Sequence, residues 1–247
     1  MHRFFVNPQQ INGSVVRFND GQAHQMRRVL RMTTGQQVIV LDGSGAAYDV
    51  TLQQVTTDSV VGQITRQATA QGEPHTYLTL YQSLLKRDKF EWVLQKGTEI
   101  GVSRFVPVIT RRTLVRDATS VTPDKEERWR RIILEAAEQS GRGRLPELAE
   151  PQQFPVAVSE AAASNRIALI AWEESTGKDI ASALRDLSPL SYVGLFIGPE
   201  GGYDPEEITL AQAEGLVSVT LGSRILRTET AALVGPALVL HELGDMA

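Results

Sequence analysis

The sequence predicts an α/β protein in which a smaller, β-rich domain precedes a larger domain built on a parallel sheet. Two observations lead to this fold class. Up to residue 70, short segments rich in Val, Ile and Thr alternate with glycine and aspartate turns, which is typical of strands joined by tight connections. From residue 76 onward, apolar strand-like segments alternate with helical ones, the pattern of a parallel sheet with helices on both faces.

The β-rich domain is expected to span residues 1–72. Its predicted strands are VVRF, QQVIVLDG, AAYDVTLQQV and SVVGQITR. One piece, GQAHQMRRVLRM, interrupts them with apolar residues at helical spacing. The segment 67–75, QATAQGEPH, has no periodicity and contains Gly72 and Pro74. We therefore place the boundary there and assign residues 73–247 to the second domain.

The second domain is predicted to alternate strands and helices. Its strands are TYLTLYQSLL, RFVPVIT, RIALIAWEE, YVGLFIGPE and LVSVTLG, and its helices include DKFEWVLQKGTEIG, PDKEERWRRIILEAAEQSGRG, KDIASALRDL and TETAALVGPALVLHEL. A further helix is expected to start at Asp204-Pro205-Glu206-Glu207. Asp204 suits the N-cap, Pro205 the first helical position, and Glu207 the reciprocal position of a capping box.

The last predicted helix is apolar around most of its circumference. Such a helix must be buried on several sides. We expect the parallel sheet to cover one side and a partner subunit to cover another.

The net charge of −4 conceals an uneven distribution, since residues 86–144 carry +5 and residues 145–247 carry −10. A basic surface of this kind could face a polyanion such as RNA. Solvated helix faces that differ by chance would give the same numbers, so charge alone does not decide.

Several classes of protein and site are disfavoured. The chain has no cysteine, which excludes disulfides, thiolate catalysis and cysteine metal sites. Its four histidines are scattered without metal-ligand spacing, so no metal is expected. No apolar run approaches the roughly 18 residues of a membrane span. The start MHRFFVNPQQING resembles no secretion signal, and we expect a cytoplasmic protein.

Three predicted strand ends carry residues suited to a ligand site. They are Trp172-Glu173-Glu174, the glycine-rich turn GPEGG at 198–202, and the loop GSRILR at 222–227. Ligands in open α/β sheets lie beyond these carboxyl ends. No lysine follows the glycines as in a phosphate-binding P-loop, and the spacing of a dinucleotide site is absent. An adenosine held by main-chain groups stays open, because glycine lets the backbone approach a flat ligand closely. Alone, GPEGG favours a structural turn; with the second loop it indicates a binding site.

The pair FIGPEGGYDPEEI and LGSRILRTETAAL resembles the signature of the ribosomal small-subunit RNA uridine-N3 methyltransferases, the RsmE group of the SPOUT superfamily. The resemblance extends over nearly the whole chain, through RFFV, HQMRRVLRM, SLLKRDKFEWVLQKGTEIGV and IILEAAEQSGR. It implies a PUA-like β-barrel at the N-terminus and a SPOUT-type parallel sheet with a C-terminal trefoil knot. It also implies S-adenosylmethionine as cofactor, ribosomal RNA or the small subunit as partner, and a homodimer formed through the C-terminal domain.

The resemblance guides the choice of site residues. For the cofactor we expect main-chain groups and apolar walls from Ile197, Gly198, Pro199, Gly201, Leu221, Gly222, Ser223, Ile225 and Leu226, with Thr230 and Ala231 in the adjoining helix. The alternative for the leucines is core packing. Arg227 is the first choice for chemistry, since a guanidinium near O2 or O4 would favour the anionic uracil. Its alternative is an ion pair with Glu229 or Glu200. Glu200 is a candidate base, although a structural role is favoured.

Cations in three places are candidate RNA contacts, because phosphate binding requires positive charge. They are Arg27, Arg28 and Arg31 in the helical piece, Lys86, Arg87 and Lys89 after a strand, and Arg142 in a glycine turn with Gln139 close by. For each cation singly, a solvated face is the alternative.

Three other functions stay open. The first is a non-catalytic RNA-binding assembly factor, which would give the GPEGG and LGSRILRTE motifs no function. The second is a SPOUT enzyme for another RNA nucleotide, which the PUA-like N-terminal domain disfavours. A metabolic nucleotide enzyme ranks last, because it would not need the basic segment.

Overall fold

The computed structural model describes residues 1–57, 59–86, 88–113, 121–175, 178–186 and 191–246. The chain divides into two compact units, one of residues 1–73 with 137–145 and one of residues 74–136 with 146–247. The sequence analysis assigns 137–145 to the second domain, but in the structure this segment packs within the first unit. The reason lies in Arg142 and Gly143, which both bond to Glu73.

The first unit is a six-stranded sheet with the order β1-β4-β5-β6-β3-β2. The β1–β4 pair is parallel, and the other pairs between described strands of this sheet are antiparallel. The strands are β1 Arg3–Phe5, β2 Ile11–Asn12, β3 Val15–Arg17, β4 Gln37–Leu41, β5 Ala46–Val55 and β6 Val60–Thr69. The sequence analysis predicted the last four and did not predict β1 or β2. Phe4, Val16, Val38, Val50 and Leu52 are among the fully buried residues of its core.

The helical piece of this unit consists of α1, Asp20–His24, followed by a π-helical turn, Gln25–Val29. Asn19 caps α1: its side chain accepts from the Gln22 backbone, and the Gln22 side chain accepts from the Asn19 backbone. The wider π turn buries Met26 and places Arg27 and Arg28 in its last turn.

The second unit contains a parallel sheet with the order β10-β8-β7-β13-β11-β14-β12, and β9 pairs with β8. The strands are β7 Tyr77–Ser83, β8 Arg104–Ile109, β9 Glu147–Leu148, β10 Gln152–Gln153, β11 Ile167–Ala171, β12 Lys178–Asp179, β13 Tyr192–Ile197 and β14 Val217–Thr220. The helices are α2 Lys89–Ile100, α3 Pro123–Ser140, α4 Phe154–Ser164, α5 Ile180–Leu184, α6 Pro205–Ala213 and α7 Thr228–Glu242; the end of α3 belongs to the first unit.

Helices cover both faces of this sheet, as the alternating pattern predicted. Leu78, Leu80 and Leu195 point into one apolar cluster, which also contains residues of α2, α3, α5 and α7. Tyr81 and Phe196 point into the other, with residues of α4 and α6. The sequence analysis did not predict α4. With β7, β13, β11 and β14 at its centre, the sheet brings the ends of these strands to one edge.

Two helices confirm specific expectations. At α6, the Asp204 side chain accepts from the Glu206 backbone and the Glu207 side chain accepts from the Asp204 backbone, so the predicted capping box is present. Helix α7 packs closely on the sheet, as predicted. A Cβ at Gly235 would lie 2.8 Å from the Leu195 side chain, so only glycine allows this approach. Within the described ranges, none of the helices has the length and apolar character needed to cross a bilayer.

Candidate functional site

A cleft of about 440 Å³ lies where β11, β13 and β14 end. Three chain segments line most of it: 171–173 after β11, the GPEGG turn after β13, and 220–229 after β14. Ile197, Tyr203, Lys89 at the start of α2 and Ala231 in α7 also line it. The cleft therefore lies at the carboxyl edge of the sheet, where the sequence predicted a ligand site.

The GPEGG turn is held tightly on one side of the cleft. A Cβ at Gly198 would lie 3.1 Å from the buried Tyr203 ring, so a side chain there would crowd the ring. Gly202 has φ +67°, and a Cβ there would lie 2.5 Å from a carboxylate oxygen of Glu173. Arg112 donates to the Gly201 carbonyl at 3.1 Å. Glycine is therefore needed at Gly202 for its positive φ, and at both Gly198 and Gly202 because neighbouring side chains pack against the backbone.

The opposite wall is the loop 221–227. Gly222, at φ +113°, makes the turn that leaves β14. Leu221 and Leu226 are half-buried and pack against the core, while Ile225 is 85% exposed. This wall offers exposed main-chain groups and apolar side chains to the cleft.

One hydrogen-bond chain joins the two walls. The Thr228 hydroxyl donates to the Gly198 carbonyl, and the buried Gln82 amide donates to the Thr228 hydroxyl at 3.3 Å. Burial raises the pKa of the neighbouring Tyr203 phenol well above its usual value, so the phenol stays protonated and neutral. These two hydrogen bonds connect β7, the GPEGG turn and α7 beside the cleft.

The rim of the cleft is charged. The Lys89 ammonium lies 3.2 Å from a Glu229 carboxylate oxygen and 3.7 Å from one of Glu200. Burial raises the pKa of Glu229, but its own backbone N–H, Lys89 and the charge of Arg227 outweigh that effect, and the net shift is downward. Glu229 therefore stays ionised, and Lys89 and Arg227 lie at the rim with Glu200 and Glu229, while Arg224 and Glu173 add further charges to the lining.

Comparison with known proteins places the chain in a family. Residues 72–240 match the model of the RNA methyltransferase domain, and residues 18–65 match that of the RNA methyltransferase PUA domain. The first match alone spans more than half of the chain. The protein belongs to the RNA methyltransferase family.

Relatives of known name match nearly all of the chain. Ribosomal RNA small subunit methyltransferase E of Synechocystis is 35% identical over 96% of this chain and 77% of its own length. The enzyme of the same name from Bacillus subtilis is 31% identical over 98% and 97%. The crystal structure of that enzyme from Neisseria gonorrhoeae, bound to S-adenosyl methionine, matches with a TM-score of 0.87 and 31% identity over 100% of both chains.

Most of the site residues chosen from the sequence meet in this methyltransferase cleft. Those that line it are Ile197, Gly198, Pro199, Glu200, Leu221, Gly222, Ser223, Ile225, Leu226, Arg227 and Ala231. Gly201 and Thr230 do not line it. Gly201 instead faces Arg112, and Thr230 lies exposed on α7.

The sequence analysis missed other lining residues. Three of them lie next to the chosen residues in the sequence: Tyr203, Thr228 and Glu229. Their polar side chains within the two motifs could have identified them as candidates. Trp172 and Glu173 were noted at a strand end without a role. Lys89 was predicted to contact RNA. The sequence could not place it at the cleft, because its position there depends on the packing of α2 against α7.

The candidate RNA contacts fall into different surroundings. Arg28, Arg31, Lys86 and Gln139 are exposed, whereas Arg87 lies outside the described residues. Arg27 is half-buried and donates to the carbonyls of Ala23 and Thr57. Arg142 is 4% exposed and donates to both carboxylate oxygens of Glu73 at 3.0 Å, so its guanidinium holds the first unit together.

Proposed function

We propose that the protein transfers a methyl group from S-adenosylmethionine to N3 of a uridine in small-subunit ribosomal RNA. The observation that carries this proposal is the convergence of the GPEGG turn and the loop 221–227 on one cleft, with the Arg227 guanidinium at its rim. The similarity to the Neisseria gonorrhoeae enzyme bound to the same cofactor supports the choice of methyl donor.

The cleft fits this cofactor in size and chemistry. Its volume of about 440 Å³ lies within the range of roughly 300–1,000 Å³ that small-molecule sites occupy. Leu221 and Leu226 provide apolar surfaces for a flat adenine, and the glycine backbones at 198 and 222 provide polar groups without side chains in the way. We propose that the cofactor is held by the predicted residues that line the cleft, with Ala231 beside them: Ile197, Gly198, Pro199, Leu221, Gly222, Ser223, Ile225 and Leu226. The positions of Gly201 and Thr230 outside the lining do not support a cofactor contact for either. The bound cofactor supplies an electrophilic methyl group.

Arg227 supports the chemistry at the uridine. N3 of uridine keeps its proton at neutral pH, so the nitrogen becomes an effective nucleophile only when the anion is stabilised. A guanidinium fixed beside O2 or O4 lowers the free energy of that anion, and such preorganised charge is most effective in a site shielded from water. We assign this role to Arg227. The position of Glu200 beside Lys89 supports a structural role for it rather than that of a base.

The exposed cations Arg28, Arg31 and Lys86 are proposed as RNA contacts. Their side chains are accessible, as phosphate binding requires. The target edge of uridine takes part in base pairing, so the base must be unpaired or drawn out of its stack before it can react. The partners of Arg142 favour a structural role for that residue.

The finer features of the fold belong to the same proposal. We propose that the β-rich unit closes as a PUA-like barrel, that the C-terminal part of the second domain forms a trefoil knot, and that two copies associate through this domain in the cytoplasm. The half-buried apolar residues Leu233, Val234, Ala237 and Leu238 of α7 support the dimer, since they leave apolar surface that a second copy would cover. Sedimentation equilibrium tests the dimer by the mass it gives.

Mass spectrometry of ribosomal RNA tests the reaction. RNA from cells that lack this protein should have lost one N3-methyluridine, and the purified protein with S-adenosylmethionine should restore it to small subunits from those cells. Unchanged N3-methyluridine would contradict the proposal. Isothermal titration with S-adenosylmethionine separates the enzyme from a non-catalytic assembly factor, which should bind none.

A further inference from the structure

Lys89 occupies a position in α2 that is locally unfavourable for a cation. It is the first residue of the helix, and its N-cap, Asp88, makes no side-chain capping bond. The helix dipole places partial positive charge at this end, which disfavours a lysine there. A residue that is unfavourable for its own helix often lies at a functional site, where its contacts with other segments compensate.

Two carboxylates compensate for this position, and they come from opposite walls of the cleft. Glu200 lies in the GPEGG turn and Glu229 in the first turn of α7, and Lys89 lies within 4 Å of both. Glu200 also accepts from the Lys86 backbone N–H at 3.4 Å. The Lys89 ammonium therefore binds two of the acids that line the same cleft as Arg227.

Arg227 has a different status at the same rim. Its side chain lines the cleft and is close enough to Glu229 to help lower the pKa of that carboxyl. Nevertheless, no ion pair or hydrogen bond joins its guanidinium to any other residue in the part of the chain that the structure describes. The carboxylates that would pair with it are already held by Lys89.

We propose that Lys89 is a positioning residue that keeps Arg227 available to the substrate by occupying Glu200 and Glu229. A free guanidinium can turn to the uracil oxygens, whereas one paired with Glu229 would have to break that pair first. This inference rests on the proposed function, since it assigns Lys89 a part in the same reaction. It also separates Lys89 from Lys86, which is exposed and meets Glu200 through its backbone N–H, whereas Lys89 binds the same carboxylate through its ammonium.

The test uses three variants of the full-length protein. Lys89→Met removes the charge and keeps the length of the side chain. Lys89→Met/Glu229→Gln also removes the carboxylate that would capture Arg227. Lys96→Met is the matched control, because Lys96 lies in the same helix and pairs with Glu99, outside the cleft. The substrate is small ribosomal subunits from cells that lack the protein, and kcat and KM are measured with S-adenosylmethionine.

Lys89→Met should lower kcat about two- to fivefold, the effect of one partly exposed ion pair that must open before each turnover. The double variant should recover the kcat that Lys89→Met loses, and Lys96→Met should leave kcat unchanged. If Lys89→Met leaves kcat unchanged, or if the double variant does not recover, the inference is wrong. A wild-type protein without methylation activity would instead contradict the proposed function.

A second measurement does not depend on activity. The heteronuclear NOE of the Arg227 Nε–H reports whether the guanidinium is mobile or held. It should be low in the wild-type protein and in the double variant, and high in Lys89→Met. Equal values in wild type and Lys89→Met would overturn the inference.

Discussion

Arg142 in the β-rich unit and Arg227 at the cleft carry the same functional group in opposite surroundings. The Arg142 side chain is 5% exposed, and its guanidinium faces Glu73, whose carboxylate also accepts from the backbones of Gly143 and Arg144. Arg227 is exposed, and the acids near it are bound to Lys89. A buried bidentate pair fixes an arginine as part of the fold, whereas an arginine intended for a substrate needs its neighbouring acids neutralised by another cation.

The strongest test of this comparison removes the exposed arginine. Arg227→Ala should lower kcat about 100- to 1,000-fold, which is the cost of losing one preorganised group that stabilises developing negative charge. Its affinity for S-adenosylmethionine in isothermal titration should stay close to that of wild type, because the proposed cofactor contacts are main-chain groups and apolar side chains and do not include the Arg227 guanidinium. Arg185→Ala, at an exposed arginine outside the cleft, is the control and should methylate normally. A wild-type rate for Arg227→Ala would remove Arg227 from the mechanism.

The buried arginine should respond in stability instead of activity. Glu73→Gln leaves the Arg142 guanidinium buried without its charged partner, and breaking such a pair costs about 3 kcal/mol. For a chain of this size the melting temperature should fall by roughly 6–12 °C. Glu99→Gln breaks the surface pair with Lys96 and should cost less than about 1 kcal/mol. Equal losses in the two variants would mean that the Arg142–Glu73 pair is not a structural anchor.

A second buried carboxylate, Asp245, extends the comparison to pH. Its side chain is 2% exposed and accepts from the backbones of His75 and Thr76 and from the His75 ring. Burial raises the pKa of Asp245, but these hydrogen bonds outweigh that effect and lower it below the ordinary 3.8. Because the folded pKa is the lower one, the stabilisation is present above the ordinary value and is lost as the pH falls through the folded pKa.

Asp245→Asn should therefore cost about 1.5 kcal/mol at pH 7, the contribution of a hydrogen bond to a charged group. Urea unfolding at pH 7 and at pH 3.5 measures the difference between wild type and variant at each pH. The difference should shrink at the lower pH, as Asp245 begins to take up a proton. A constant difference would show that its charge does not contribute.

Local patterns in the sequence predicted much of the fold. The capping box at Asp204 and Glu207 and the alternation of Leu78, Leu80 and Tyr81 are set by residues close in the chain. The GPEGG turn and the loop 221–227 were found because both follow strands. Helix α4, FPVAVSEAAAS, was missed because its apolar residues do not form a clear stripe.

Long-range partners were beyond the reach of the same reasoning. Arg142 and Glu73 are 69 residues apart, and Lys89 and Glu229 are 140 residues apart. No spacing rule connects residues at such separations, so the sequence could identify an arginine or a lysine as cationic without showing which acid it meets. Both were assigned to RNA on charge alone, and their packing favours other roles.

The smallest expected effect concerns the salt dependence of RNA binding, which separates exposed from buried cations. Arg28→Gln/Arg31→Gln removes two accessible charges, and the slope of log affinity against log salt should become shallower by about 1.5. Arg142→Gln should leave that slope unchanged while lowering the melting temperature, because its guanidinium faces Glu73 instead of solvent. Binding to a small-subunit RNA fragment, titrated at several salt concentrations, gives both slopes. A shallower slope for Arg142→Gln, or none for the double variant, would reverse the distinction between the arginines that bind RNA and the one that builds the fold.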